Sequence, residues 1–178
     1  RTADALASYG QAVTASRTLV PQLALREKVA QVYLTAGQPA DAVAQYDAIL
    51  EVARNDPYRA SMEFAAAQAE LTAADPAPGL DRLQRIFEAY PGTPQAYQAL
   101  ALLRENGREL DGYAVGLVNY LYGDYEAAIE AFNAWSTTRQ LAAIPAQMHL
   151  LLGRAYRELG NAAAAVTAFQ TVIDQYPQ

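Results

Sequence analysis

The sequence contains no cysteine, one histidine and one lysine in 178 residues. Disulfides and thiol chemistry are therefore absent, and one histidine cannot supply the several ligands of an ordinary zinc site. Acidic residues outnumber basic ones by 19 to 13, and the net charge of −6 disfavours binding to a nucleic-acid backbone. No apolar run reaches the roughly 18 residues that a membrane span needs. We therefore expect no metal, no cofactor, no nucleic-acid partner and no membrane span.

The composition, 52% hydrophobic and 18% charged, is that of a folded globular chain. Alanine is abundant, β-branched residues are sparse and no segment alternates like a strand, so we predict an all-α protein. Proline, glycine and asparagine interrupt the helical pattern at short intervals. The interruptions predict about ten helices, at residues 2–17, 22–36, 40–54, 58–73, 79–90, 94–106, 111–122, 125–137, 146–159 and 161–175. Short connections favour antiparallel hairpins in a single segment, residues 1–178.

Two successive segments of the sequence repeat each other at a separation of 37 residues. The matching pairs are Gly116 and Gly153, Gly123 and Gly160, Ala128 and Ala165, and Phe132 and Phe169. Small residues at such positions allow two helices to approach closely, and aromatic residues fill the space beside them. A weaker copy occurs earlier, at Ala30, Tyr33, Gly37, Ala42 and Tyr46. We therefore expect stacked helical hairpins.

The last hairpin carries the clearest form of the pattern: His149, Leu152, Gly153, Tyr156, Gly160, Ala165, Phe169 and Pro177. This spacing resembles the tetratricopeptide repeat, with His149 in place of the usual tryptophan. The resemblance implies an α-solenoid that binds a protein or an extended peptide. One helix, near 94–106, has no partner within a hairpin. Because the pattern starts at the second helix of a hairpin and stops where a further repeat would begin, we expect both ends to be cut from a longer protein and their apolar faces to favour self-association.

The segment 94–178 also resembles the helical region that precedes the catalytic domain of bacterial soluble lytic transglycosylases. The similarity depends mainly on the stretches 99–107, 123–129 and 151–161. It implies a scaffold beside a peptidoglycan-cleaving domain in the cell envelope, after removal of an export signal. The catalytic glutamate of that family is commonly followed by serine, and no Glu-Ser pair occurs here, so we expect no catalytic residue in this chain. The alternative is a free-standing tetratricopeptide adaptor in a cell-envelope assembly, and the lack of cysteine is equally compatible with the cytoplasm.

Candidate binding residues occupy positions that face the concave side of a tetratricopeptide solenoid: Gln31, Tyr113, Tyr120, Arg154 and Arg157. Tyrosine and arginine offer rigid amphipathic area and forked hydrogen-bond donors, which suit a peptide or glycan partner. The alternative is that the tyrosines fill gaps between repeats and the arginines pair with Glu126 or Glu158.

Four other residues are of types that often bind metals or ligands, but we expect each of them to have a structural role. We expect His149 to pack at the position of the missing tryptophan, because a lone histidine does not make a metal site. Trp135 is expected in the core, on the face toward the following hairpin. Glu126 and Glu130 lie one helical turn apart, and without further oxygen ligands we expect them to be solvated rather than to bind a cation.

Overall fold

The computed structural model describes residues 2–176, and no strand occurs in this range. Ten α-helices and one short 3₁₀ turn, Leu141–Ala143, account for its regular structure. The helices are α1 Thr2–Ala15, α2 Leu19–Thr35, α3 Pro39–Leu50, α4 Asp56–Glu70, α5 Ala77–Ala89, α6 Pro94–Glu105, α7 Gly112–Tyr122, α8 Tyr125–Thr137, α9 Ala146–Glu158 and α10 Ala162–Gln175. The all-α prediction is confirmed.

The predicted helix bounds differ most where proline was taken as a boundary. Helix α2 begins at Leu19, so Pro21 is its third residue rather than the residue before it. Helix α4 likewise begins at Asp56 and contains Pro57 in its first turn. Proline is tolerated there because the first N–H groups of a helix have no acceptor within the helix. At the other end of a helix, α3 stops at Leu50, four residues before the predicted end.

The chain forms two compact units, one up to Tyr90 and one from Pro91. In the first unit, consecutive helices from α1 to α5 pack against one another. In the second, α7 pairs with α8 and α9 pairs with α10, while α8 and α7 both contact α9. Helix α6 packs on α7 through a smaller interface, as expected for a helix without a hairpin partner. Packing between neighbours in sequence confirms stacked hairpins in each unit, and the single segment over 1–178 stays a prediction.

The outer surfaces include some large apolar side chains. Val20 of α2 is 77% exposed, and Val166 and Ile173 of α10 are 65% and 68% exposed. Self-association through such faces stays a prediction. No helix in the described range is both long and apolar enough to cross a membrane.

The contact that sets the helix spacing in the second unit joins a glycine to a phenylalanine. A Cβ atom placed on Gly116 of α7 would lie 2.5 Å from the ring of Phe132 in α8. The next hairpin repeats the contact, because a Cβ atom on Gly153 would lie 2.4 Å from the ring of Phe169. A Cβ atom at either position would require the phenylalanine ring or the helices to move, so both positions favour glycine. The repeated pairs of the sequence are therefore helix-packing positions.

Glycine also ends the first helix of each of these hairpins. Gly123 follows α7 with φ +94°, and Gly160 follows α9 with φ +75°. Side chains other than glycine rarely adopt this left-handed conformation. Asp124 and Asn161, the next residues, accept hydrogen bonds from the backbone of the following helix at Ala127 and Ala164. The turn thus ends one helix and begins the next within two residues after α7 and three residues after α9.

The weaker repeat copy lies in the core of the first unit. Ala30 and Ala42 are fully buried, and Tyr46 is 5% exposed. They form one cluster with Ile49, and Tyr33 packs against it. The small residues let α2 and α3 approach closely.

A buried arginine joins three helices of the first unit. Arg82 of α5 has 8% of its surface exposed. Its Nε and Nη2 atoms donate to the two carboxylate oxygens of Glu70 at 3.0 and 2.9 Å. Its Nη1 atom donates to Glu63 at 2.8 Å and to Asp47 at 3.0 Å. Burial lowers the pKa of Arg82, but the hydrogen bonds to the three carboxylates outweigh it and the pKa is raised.

We expect Arg82→Met to lower the free energy of unfolding by about 3–5 kcal/mol, because three neighbouring carboxylates lose their shared cation. Arg85→Met is the matched control, since Arg85 is 58% exposed and lies 4.0 Å from Glu63. Its change is expected to stay below about 0.5 kcal/mol. Urea unfolding followed by circular dichroism measures both variants. Equal losses in the two variants would contradict this account of Arg82.

Candidate functional site

A groove in the second unit has the volume and the side chains of a binding site. It encloses about 630 Å³ between the end of α6, the loop after it, the start of α7 and one face of α8. We call it the Trp135 groove, and its large and charged side chains are Arg104, Arg108, Leu110, Glu130, Trp135 and Arg139. Small side chains of α8, including Ala131 and Ala134, line the space between them.

The tryptophan ring is fixed by the start of α7. Asp111, the N-cap of α7, accepts a hydrogen bond from the backbone N–H of Ala114 at 3.0 Å. Its other carboxylate oxygen accepts a hydrogen bond from Nε1 of Trp135 at 2.8 Å. Gly112 leaves room for the ring, because a Cβ atom there would lie 3.1 Å from Trp135. A cap, a glycine and a hydrogen bond thus hold the indole in one position.

Arg139 covers the tryptophan ring. Its guanidinium carbon lies 3.9 Å from the ring centroid, which is the geometry of a cation–π contact. Its Nη1 atom donates to the carbonyl oxygen of Trp135 at 2.7 Å and to Thr138 at 3.1 Å. In the described part of the chain, Nε and Nη2 of Arg139 donate no hydrogen bond. One edge of a fixed guanidinium therefore stays available to a ligand.

Helix α6, which carries Arg104, is anchored by an aromatic stack. The rings of Tyr97 and Tyr122 are nearly parallel, with centroids 3.7 Å apart. The hydroxyl of Tyr97 donates to Asp124 at 3.1 Å, and this hydrogen bond raises the pKa of Tyr97. The stack and the hydrogen bond fix α6 to the end of α7 and to the turn before α8. They thereby place Arg104 at the wall of the Trp135 groove.

The lining of the Trp135 groove is rich in positive charge although the whole chain is acidic. Three of the twelve arginines line it, and Glu130 is its one acidic side chain. Across residues 2–176, neither Arg104 nor Glu130 forms an ion pair. The groove therefore presents guanidinium groups beside an aromatic ring.

The predicted concave-face residues are divided between the two units. Gln31 lies exposed on α2 of the first unit, beside a shallow pocket that Lys28 also lines, and the other four lie in the second unit. Tyr113 is half-buried between Phe132 and Trp135, with ring centroids 5.7 and 5.5 Å away, and burial raises its pKa.

Of the remaining three candidates, one is half-buried and two are exposed. Tyr120 is half-buried and meets the ring of Tyr125 edge-on at 5.7 Å. Arg154 and Arg157 of α9 are exposed, and Arg157 lies 3.2 Å from Glu158, which is the pairing considered as the alternative. A binding role for these residues stays a prediction.

His149 lies beside the last described residue. Its ring is half-buried and its centroid is 5.9 Å from that of Tyr176, whose hydroxyl donates to the carbonyl oxygen of Ile144 at 2.6 Å. Burial lowers the pKa of His149, and its Nε2 atom has no hydrogen-bond partner among residues 2–176. Pro177, the last residue of the sequence pattern, lies outside the described residues. In the described range, no three histidine or acidic side chains group as metal ligands would.

Sequence reasoning missed the arginines of the Trp135 groove. Arg104 and Arg108 are four residues apart on either side of Gly107, and Trp135 and Arg139 are four residues apart at the end of α8. The spacing gave no usable signal, because α6 ends at Glu105 and α8 ends at Thr137, so Arg108 and Arg139 lie in the loops that follow these helices. Trp135 was predicted to lie in the core. The structure agrees in part, because the side chain is partly buried and packs against the core cluster that contains Phe132.

Comparison with known families identifies the last hairpin. Residues 148–178 match the tetratricopeptide repeat family. The match is confined to this hairpin. It covers most of α9 and all of α10 and includes the Gly153–Phe169 contact, so the predicted resemblance is confirmed there.

Comparison with solved structures gives similarities that are weak in sequence. Two crystal structures of MamA align with the chain at 18% identity and a TM-score of 0.41. The alignments cover 96% and 99% of this chain and 85% and 87% of the MamA chains. No curated protein matches the sequence. No lytic transglycosylase is among these similarities, so that parentage and a cell-envelope location stay predictions.

The lowered pKa of His149 makes stability depend on pH. Above the usual histidine pKa of 6.5 the imidazole is neutral in both the folded and the unfolded chain. As the pH falls below 6.5, the unfolded chain binds a proton more readily, so the free energy of unfolding decreases. We expect an NMR titration of the only histidine to give a pKa below 6.5. We also expect His149→Phe to reduce the stability difference between about pH 7.5 and 5.5. A measured pKa at or above the usual value would contradict the burial argument.

Proposed function

We propose that the chain is a protein-binding scaffold without catalytic activity of its own, and that the Trp135 groove binds an extended peptide of a partner protein. The observation that carries the proposal is the fixed indole of Trp135 between Asp111 and Arg139, at the side of an open groove. Tetratricopeptide hairpins support an interaction role in general. We assign this interaction to the Trp135 groove.

The geometry favours a peptide over a small molecule. Tryptophan and arginine are the side chains that most often dominate protein-binding energy. The ring and the guanidinium are held before a ligand arrives, so binding costs little ordering of the protein. The groove is partly open to solvent, which leaves room for a chain that continues beyond it.

The same lining argues against catalysis in the groove. A general acid working at neutral pH usually lies in an apolar enclosure or beside a second titratable group. Glu130 is exposed on α8, and no other carboxylate lines the groove. The groove therefore supports binding better than proton transfer.

We expect selection from an unbiased displayed peptide library to give peptides that occupy the Trp135 groove. Ala134→Gln should weaken a selected peptide by about tenfold or more, because a larger side chain fills the groove. Ala163→Gln is the control, since Ala163 is an exposed alanine of α10 outside the groove. Isothermal titration calorimetry measures both.

Binding at the predicted concave-face residues, instead of in the Trp135 groove, is the competing outcome. Peptides that are insensitive to Ala134→Gln but lose affinity with Tyr120→Ala and Arg154→Ala would place binding on α7 and α9 and contradict the groove. A library that yields no peptide would contradict the binding function itself.

A further inference from the structure

We propose that the peptide bound in the Trp135 groove is acidic, with carboxylate side chains on either side of an apolar residue. This inference rests on the proposed function and adds the chemical class of the partner. It follows from Arg104, Arg139 and the apolar residues that line the same groove.

The charge of the groove is opposite to that of the chain. The net charge of the whole sequence is −6, whereas the groove lining holds three arginines and one glutamate. Elsewhere, a buried arginine such as Arg82 is neutralised by carboxylates of its own unit. In the described residues, Arg104 and Arg139 have no such carboxylate within ion-pair distance. An acidic ligand supplies the missing partner.

The orientation of Arg139 fits a carboxylate in particular. Its Nη1 atom is used by the carbonyl oxygen of Trp135 and by Thr138, and its flat face lies on the indole. The atoms left over, Nε and Nη2, form the edge of the guanidinium that donates two parallel hydrogen bonds to one carboxylate. Because the ring and the backbone already fix this edge, little side-chain entropy is lost on binding.

The remaining lining favours a peptide over a free anion. Leu110, Val115, Ala131 and the indole of Trp135 give the same lining an apolar part beside the arginines. A bare anion leaves this surface uncovered, whereas an apolar side chain between two acidic ones covers it. Glu130 in the same lining repels a doubly charged phosphate more than a carboxylate. The acidic chain as a whole also disfavours a nucleic acid.

The single tryptophan makes the test direct, because all indole fluorescence of the chain arises in the groove. The probe is the blocked peptide acetyl-Glu-Leu-Glu-Leu-Glu-amide, and its control has glutamine in place of each glutamate. We expect the acidic peptide to change the fluorescence and to bind about tenfold or more tightly than the control. Its affinity should fall as salt is raised from about 50 to 500 mM, since charge pairs at an open groove are screened.

Substitutions of single arginines test which of them bind the carboxylates of the peptide. Arg104→Gln and Arg139→Gln should each weaken the acidic peptide by about fivefold or more, measured by calorimetry because Arg139 contacts the fluorophore. Arg85→Gln is the control, since Arg85 is an exposed arginine of the first unit that lies outside the groove. The amide end of the probe removes the terminal carboxylate, so binding reports side chains alone.

Each remaining outcome overturns the inference in a distinct way. If the glutamine control binds as well and still depends on Ala134, the groove binds peptides without regard to charge, and only the inference fails. If inorganic phosphate competes as strongly as the peptide, the groove is a general anion site. If only a peptide with a free carboxyl end binds, the groove recognises the C-terminal carboxylate of a peptide rather than its acidic side chains. If no peptide binds at all, the proposed function fails as well.

Discussion

The second unit depends on the close approach of α7 to α8, which the Gly116–Phe132 contact permits. With the ring of Phe132 at 2.5 Å from the place of a missing Cβ atom, any larger residue at 116 forces the helices apart. One turn away along both helices, Gly112 faces Trp135 in the same manner at 3.1 Å. The indole therefore lies against the start of α7, where Asp111 holds it and where the groove opens. Helix packing and the binding surface have one physical origin.

Comparison of the two hairpins explains why only one of them carries this groove. The repeat of 37 residues places His149 where Gly112 lies and Val172 where Trp135 lies. Tyr176 takes the place of Arg139, and its ring lies beside that of His149. The glycine–phenylalanine contact is common to both hairpins, whereas the indole and the guanidinium occur in the first alone. A shared packing rule thus supports a local difference in surface chemistry, as in other repeat proteins.

The features that could be predicted are those with local causes. Helix ends follow from glycine and proline, and Gly123 and Gly160 have the left-handed conformation that their positions indicate. The regular spacing of Gly116 and Phe132 indicated close packing. In contrast, the partners of Arg82 lie 12, 19 and 35 residues away on α4 and α3, a distance at which a single sequence shows no periodic signal. The Trp135 groove combines residues of a helix end, a loop and a second helix, and so it too needed the folded chain.

A double-mutant cycle at Gly116 and Phe132, with peptide affinity measured alongside stability, tests the central claim most directly. Gly116→Ala should lower the free energy of unfolding by about 1–3 kcal/mol and weaken peptide binding, and both effects should shrink in a Phe132→Leu background. Gly10→Ala is the control, because a Cβ atom on that helical glycine meets nothing within 4 Å. If Gly116→Ala leaves stability and binding unchanged, helix approach does not build the groove and the account is wrong.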